Sequence, residues 1–136
     1  MGQSGQYNYA RCASRGETGA AQLAMAEFVK SALNVLFLIN RRYIPYYKWS
    51  FRALRELDVL SDMSGALEYL ISSGNSPSEI EQKQKKIEEV CDTISKELVS
   101  LGLSNFGGCE MEAHAYEVNG RVGDSNVRNL HVLYAV

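Results

Sequence analysis

A chain of 136 residues, 46% apolar and 22% charged, is long enough to bury a core and too apolar to be disordered. Its net charge of −2 excludes a general nucleic-acid binder, but the charge is uneven: residues 1–60 carry eight Lys/Arg against four Asp/Glu, and residues 61–136 six against twelve. Cys12, Cys91 and Cys109 form no CxxC and no disulfide framework, the N-terminus has no signal-peptide core, and the longest unbroken apolar run, about nine residues, is too short for a bilayer. A cytoplasmic protein without a membrane segment is the expectation.

Residues 1–16 are polar, Gly-rich and punctuated by Tyr7, Tyr9 and Arg11, and read as an extended lead-in whose aromatics tie it to the domain. The helical bundle begins at residue 17. From Thr18, a candidate N-cap, to Ile39 the residues are good helix formers and apolar nearly all round, the mark of a central helix covered by its neighbours. Pro45 breaks the chain after Asn40–Ile44 and suits the first turn of a new helix reaching Leu57. A short helix over about 62–72 follows, then the loop SSGNSP.

Ser76-Pro77-Ser78-Glu79 offers an N-cap, a first-turn proline and a capping-box glutamate. Ile80, Ile87, Ile94 and Leu101 then repeat every seven residues, with Cys91 and Leu98 between them, as far as Gly102 at the C-terminal cap. EQKQKK and the following EE lie on the outer face as solvated charge. Cys109–Val118 reads as a helix, and Asp124 or Ser125 could cap a last one through Leu133. No strand pattern appears. The fold class is therefore all-α, a single-domain bundle of about five to six helices.

Asn40–Leu57, NRRYIPYYKWSFRALREL, holds five of the fourteen basic residues together with Tyr43, Tyr46, Tyr47, Trp49 and Phe51. On a helical wheel Tyr46, Trp49, Phe51, Ala53, Leu54 and Leu57 spread over one broad face, while Lys48, Arg52 and Arg55 fall within about 60° on the other. The result is a cationic ridge on an aromatic-backed helix. Its plain reading is a solvated face with packed aromatics. Its functional reading joins Arg41 and Arg42 to Lys48 and Arg52 around one anion.

No self-sufficient active site is visible. His114 and His131 lack metal-ligand company at recognised spacing, no Cys–His pair is placed for nucleophilic catalysis, and no Gly-rich phosphate loop occurs.

GQYNYARC, AEFVKSALNVLFLINRRYIPYYKWSFRALREL and the Ile-rich helix together resemble a bacterial domain of unknown function found C-terminal to a nucleotidyltransferase domain, over about residues 5–105. The domain is similar to the helical second domain of aminoglycoside and kanamycin nucleotidyltransferases. The resemblance implies a substrate- and nucleotide-binding wall, with Mg²⁺ and the nucleoside triphosphate held mainly by a catalytic domain in cis. The Asp-x-Asp pair of that domain is not in this sequence, so the chain is expected to be the C-terminal part of a larger two-domain protein, with no cofactor of its own. It also implies roles: Lys48 and Arg52 facing the triphosphate, Arg41 or Arg42 clamping it, Tyr46 or Tyr47, beside Tyr43, orienting a small-molecule acceptor, and Tyr7, Asn8 and Arg11 completing the wall. Nucleic acid is not an expected partner; a homodimer is left open. The alternative is a stand-alone interaction module using the helix 76–101 for dimerisation or docking.

Overall fold

The computed structural model describes residues 1–130. All regular structure among them is helical, as expected: a π-helical segment, Gly2–Tyr9, and α1 (Ala10–Ser14), α2 (Thr18–Ile39), α3 (Tyr47–Leu54), α4 (Met63–Ser72), α5 (Pro77–Ser100), α6 (Met111–Gly120) and α7 (Ser125–Arg128). His131 and the expected run of the last helix to Leu133 lie outside the described residues. The chain forms two compact units, Met1–Val90 and a second beginning at Cys91, and α5 supplies residues to both.

In the first unit α2 is the central element, flanked by the π-helical segment, α1, α3 and α4. Ala21, Met25, Phe28, Val29, Ala32, Leu33, Leu36 and Phe37 are buried, the i, i+4, i+7 stripe of one helix face. Coverage is not complete, because Leu23 and Leu38 stay exposed and Glu27 pairs with Lys30 at 3.9 Å on the open side. Among the described residues α2 is the one helix long and apolar enough, by length and composition, to cross a membrane. A count of unbroken apolar runs does not reveal this. Its buried stripe, however, is occupied by packing within the fold.

The N-terminal segment departs from expectation: it is helical, not extended. The cause is packing. Gly5 is buried against Phe28, and a Cβ there would sit 2.7–2.8 Å from Phe28 Cε2 and Cγ, so only glycine lets this turn approach the ring. Four residues on, Tyr9 is fully buried. Thr18 is the first residue of α2 rather than its cap; Glu17 holds the cap position without a side-chain bond.

Two helix ends use the same device. Gly102, at φ 68°, ends α5 with Gly102 N–H on Val99 O and Leu103 N–H on Leu98 O, both 2.9 Å. This is a Schellman motif with the expected glycine. α2 ends in the same pattern, Arg41 N–H on Leu38 O and Arg42 N–H on Phe37 O at 2.9 Å, but with Arg41 at φ 54° in the left-handed position. The start of α5 follows its sequence signal in a modified form. Glu79 accepts from the Ser76 N–H at 2.9 Å, the Ser76 hydroxyl at 2.6 Å and the Gly74 N–H at 3.0 Å. These three donors hold the Glu79 carboxyl below its ordinary pKa, with a smaller contribution from Lys83.

In the second unit His114 is fully buried on α6. Its Nε2 donates to Gly108 O at 2.9 Å, and Nδ1 shares a 2.8 Å bond with the Ser104 hydroxyl, which also accepts from the Phe106 N–H at 3.2 Å. Both ring nitrogens are occupied by structure. The Phe106 ring closes the site edge-on at 5.3 Å.

Candidate functional site

α3 is shorter than the proline suggested, Tyr47–Leu54, because Pro45 sits in the connection ahead of it and Tyr46 is its cap residue. Ser50 and Leu54 are buried on its inner side, with Leu57 just beyond. Lys48, Arg52 and Arg55 point the other way and are exposed, so the cationic ridge lies where the helical wheel places it. The aromatic backing does not. Tyr43, Tyr46, Tyr47 and Trp49 are all exposed.

These rings pack on one another instead. Tyr46 lies 4.4 Å from Tyr47 and 6.1 Å from Trp49, centroid to centroid, in tilted and edge-on geometry. A side-chain hydrogen bond with Tyr47 holds the Tyr46 hydroxyl above the ordinary tyrosine pKa, and partial desolvation adds to it. Lys48 Nζ leans over the Trp49 ring at 5.9 Å. Tyr43 stands free in solvent.

The cations separate into committed and uncommitted groups. Arg55 pairs with Glu68, and Arg42 reaches Asp58 at 3.6 Å. Among the described residues, Arg41, Lys48 and Arg52 have no carboxylate at ion-pair distance. Lys48 and Arg52 are one turn apart on the exposed face of α3. Arg41 and Arg42 follow the end of α2, where Asn40 donates to Leu36 O at 2.8 Å and to Val59 O at 2.9 Å, and accepts from the Val59 N–H at 2.9 Å. That clamp fixes the α2 end against the connection after α3, on the side of Asp58. Of the four cations expected around one anion, Arg42 is engaged by Asp58.

Tyr7, Asn8 and Arg11 are not part of this surface either. Arg11 donates to the Tyr7 hydroxyl and lies over its ring at 4.7 Å, an exposed pair closed on itself. Neighbouring Tyr9 donates to Asn75 Oδ1 at 2.9 Å, and Asn75 donates to Gln22 at 3.3 Å. From Gln22 to Asn40 the helix rises ~27 Å, which sets the two groups toward opposite ends of α2.

The same network contains a residue that sequence reasoning misplaced. Lys83, expected on the solvated face, is fully buried. Its Nζ donates to Ser73 O at 2.9 Å and Asn75 Oδ1 at 3.3 Å, and lies 5.7 Å from the centre of the Tyr9 ring. Burial lowers the Lys83 pKa, opposed by Glu79 one turn back. Burial likewise pushes the Tyr9 hydroxyl up to about 12, with Glu79 and Tyr69 adding to it. The signal was present: Lys83 occupies the i+3 slot between Ile80 and Ile87, on the apolar stripe.

Residues 1–50 match the family described as a domain of unknown function, DUF4037. The DUF4037 match covers the N-terminal segment, α2, the connection with Arg41–Tyr46 and the first turn of α3, including Lys48 and Trp49. No curated protein and no solved structure matches the chain.

Proposed function

We propose that α3 and the connection before it form the ligand-facing surface of a helical substrate-binding domain that works beside a nucleotidyltransferase domain in the same bacterial, cytoplasmic protein. The observation that carries this reading is the pair Lys48 and Arg52: two solvent-facing cations one turn apart, without carboxylate partners, next to exposed aromatic rings. The DUF4037 match is consistent with the resemblance on which the nucleotidyltransferase reading rests, and it ends within this surface.

Nucleotidyl transfer depends on positioning the phosphates and neutralising their charge. Lys48 offers a mobile point charge and Arg52 a planar fork suited to two phosphate oxygens. Both fit the role of holding a triphosphate from the side opposite the catalytic domain, which would supply Mg²⁺ and the chemistry. Arg41 extends the same positive surface; Arg42 is engaged by Asp58. An acceptor would meet Tyr46 or Tyr47.

The dimerisation reading gains no support, because Ile87, Val90, Cys91, Ile94 and Leu98 of the α5 stripe are already buried within the chain.

The test is thermal unfolding of the chain with each nucleoside triphosphate, with and without Mg²⁺, at low and raised salt. The reading predicts a stabilisation that grows with nucleotide, about 2.7 kcal/mol at a hundred times the dissociation constant. Salt weakens it, and Lys48→Ala or Arg52→Ala reduces the affinity about tenfold. Stabilisation that ignores salt and both substitutions, or none with any nucleotide, would refute it.

A further inference from the structure

We infer that Tyr47 and Trp49 form a stacking platform for the base of the nucleotide whose phosphates Lys48 and Arg52 hold, and that the site therefore prefers purine nucleoside triphosphates. This inference rests on the phosphate-binding reading above and adds the class of nucleotide to it.

Exposed rings are the first reason. Tyr43, Tyr46, Tyr47 and Trp49 are 96, 61, 75 and 54% exposed within seven residues. At roughly 200 Å² per aromatic side chain the three packed rings Tyr46, Tyr47 and Trp49 leave roughly 380 Å² in water, the size of the largest apolar patch on a typical monomer. Single exposed aromatics need no explanation, but three packed together are a surface that a flat ligand can cover.

The rings are also held in place. Pro45 fixes the backbone before them, and Tyr46 packs on Tyr47 at 4.4 Å and on Trp49 at 6.1 Å, centroid to centroid. Tyr46 thus braces both neighbours, and Tyr47 and Trp49 keep most of their surface in water. Rings fixed in this way lose little freedom when a flat ligand binds.

Charge decides what kind of flat ligand fits. Lys48 lies between Tyr47 and Trp49 in the chain with its Nζ 5.9 Å from the indole centre, and Arg52 is one turn further along. A ligand stacked on the indole would bring a negatively charged tail to these cations. An aromatic base joined to a phosphate chain meets both demands. A neutral apolar ligand would ignore the cations, and a quaternary amine would be repelled by them. Base–aromatic stacking accepts any base but strengthens with ring area, so purines bind best.

The experiment uses Trp49, the one tryptophan of the chain, as its own reporter. Fluorescence is titrated with ATP, GTP, CTP and UTP, and inorganic tripolyphosphate is measured by competition. ATP and GTP should quench the emission and bind several-fold more tightly than CTP and UTP. Tripolyphosphate should compete roughly 5- to 100-fold more weakly than ATP, the range of one lost stack. Tyr47→Leu, verified as folded by circular dichroism, should erase most of the ATP advantage while tripolyphosphate still binds. If tripolyphosphate binds as tightly as ATP and Tyr47→Leu changes nothing, the platform is wrong while the phosphate site stands. If neither binds, the phosphate reading falls with it. If a 12-nucleotide single-stranded RNA displaces ATP at far lower concentration than ATP itself requires, the face is a nucleic-acid track and the mononucleotide assignment is overturned.

Discussion

Tyr9→Phe probes the buried network around Lys83 by removing a single oxygen. The ring stays buried beside the Lys83 ammonium, and Asn75 Oδ1 keeps its bond from Lys83 at 3.3 Å. Only the 2.9 Å bond from the Tyr9 hydroxyl is lost, so no acceptor is orphaned and the expected cost near pH 7 is about 1 kcal/mol. The pH dependence is the sharper part. Tyr9 is raised from 10.0 to about 12 in the fold, so the folded chain keeps this proton longer than the unfolded one. Its stabilisation is complete below pH 10 and is lost as pH climbs through 12. Two units correspond to a ceiling of ~2.7 kcal/mol; allowing for solvent around the hydroxyl, about 1–2 kcal/mol is expected. Lys83 acts in the opposite direction, since its lowered pKa favours the fold as pH rises, but it is present in both proteins. Glu79 and Tyr69, the other ionisable groups acting on Tyr9, are unchanged as well. Urea unfolding of both proteins, followed by circular dichroism from pH 7 to 11.5, gives the difference directly. The wild-type advantage should shrink steadily above pH 10 and then vanish or reverse. A gap that stays constant over this range would refute the assignment of a buried, proton-retaining Tyr9.

Three other substitutions have definite signs. Gly5→Ala gains helix propensity but drives a methyl into the Phe28 ring, and overpacking wins: a loss of about 1–3 kcal/mol in chemical denaturation, partly restored by adding Phe28→Leu. Arg41→Gly relieves a left-handed residue at the α2 cap and should stabilise by about 0.5 kcal/mol, read as a higher urea midpoint at unchanged slope. Asn40→Ala removes three bonds, two of which pin Val59, and should cost about 2 kcal/mol, with faster hydrogen exchange at the Val59 amide while the middle of α2 stays protected.

What could be read from the sequence was what is decided locally. The α5 boundaries follow from Ser76, Pro77, Glu79 and Gly102, each within a few residues of the group it satisfies. The outward face of α3 follows from Lys48, Arg52 and Arg55, because an unpaired charge does not enter a core. What escaped was decided by distant partners. The helicity of Gly2–Tyr9 depends on Phe28, 23 residues beyond Gly5, and the local composition argues against it. The rings of α3 back the cationic face on a helical wheel, yet they stay exposed and pack on one another, which only the structure shows. Lys83 was hidden by the charged run around it, although its place on the Ile80–Ile87 stripe marked it as inward. Arg41 was read as a charge, while its backbone does the work of a glycine.

The most direct test of the central claim is an amide chemical-shift map of the ¹⁵N-labelled chain during titration with ATP. A ligand-facing α3 should give a contiguous set of shifts over residues 43–55, strongest at Tyr47, Lys48, Trp49 and Arg52 and reduced by salt, with Tyr7, Asn8 and Arg11 unmoved. Shifts centred on Arg11 and Arg15, or none at all on α3, would contradict it.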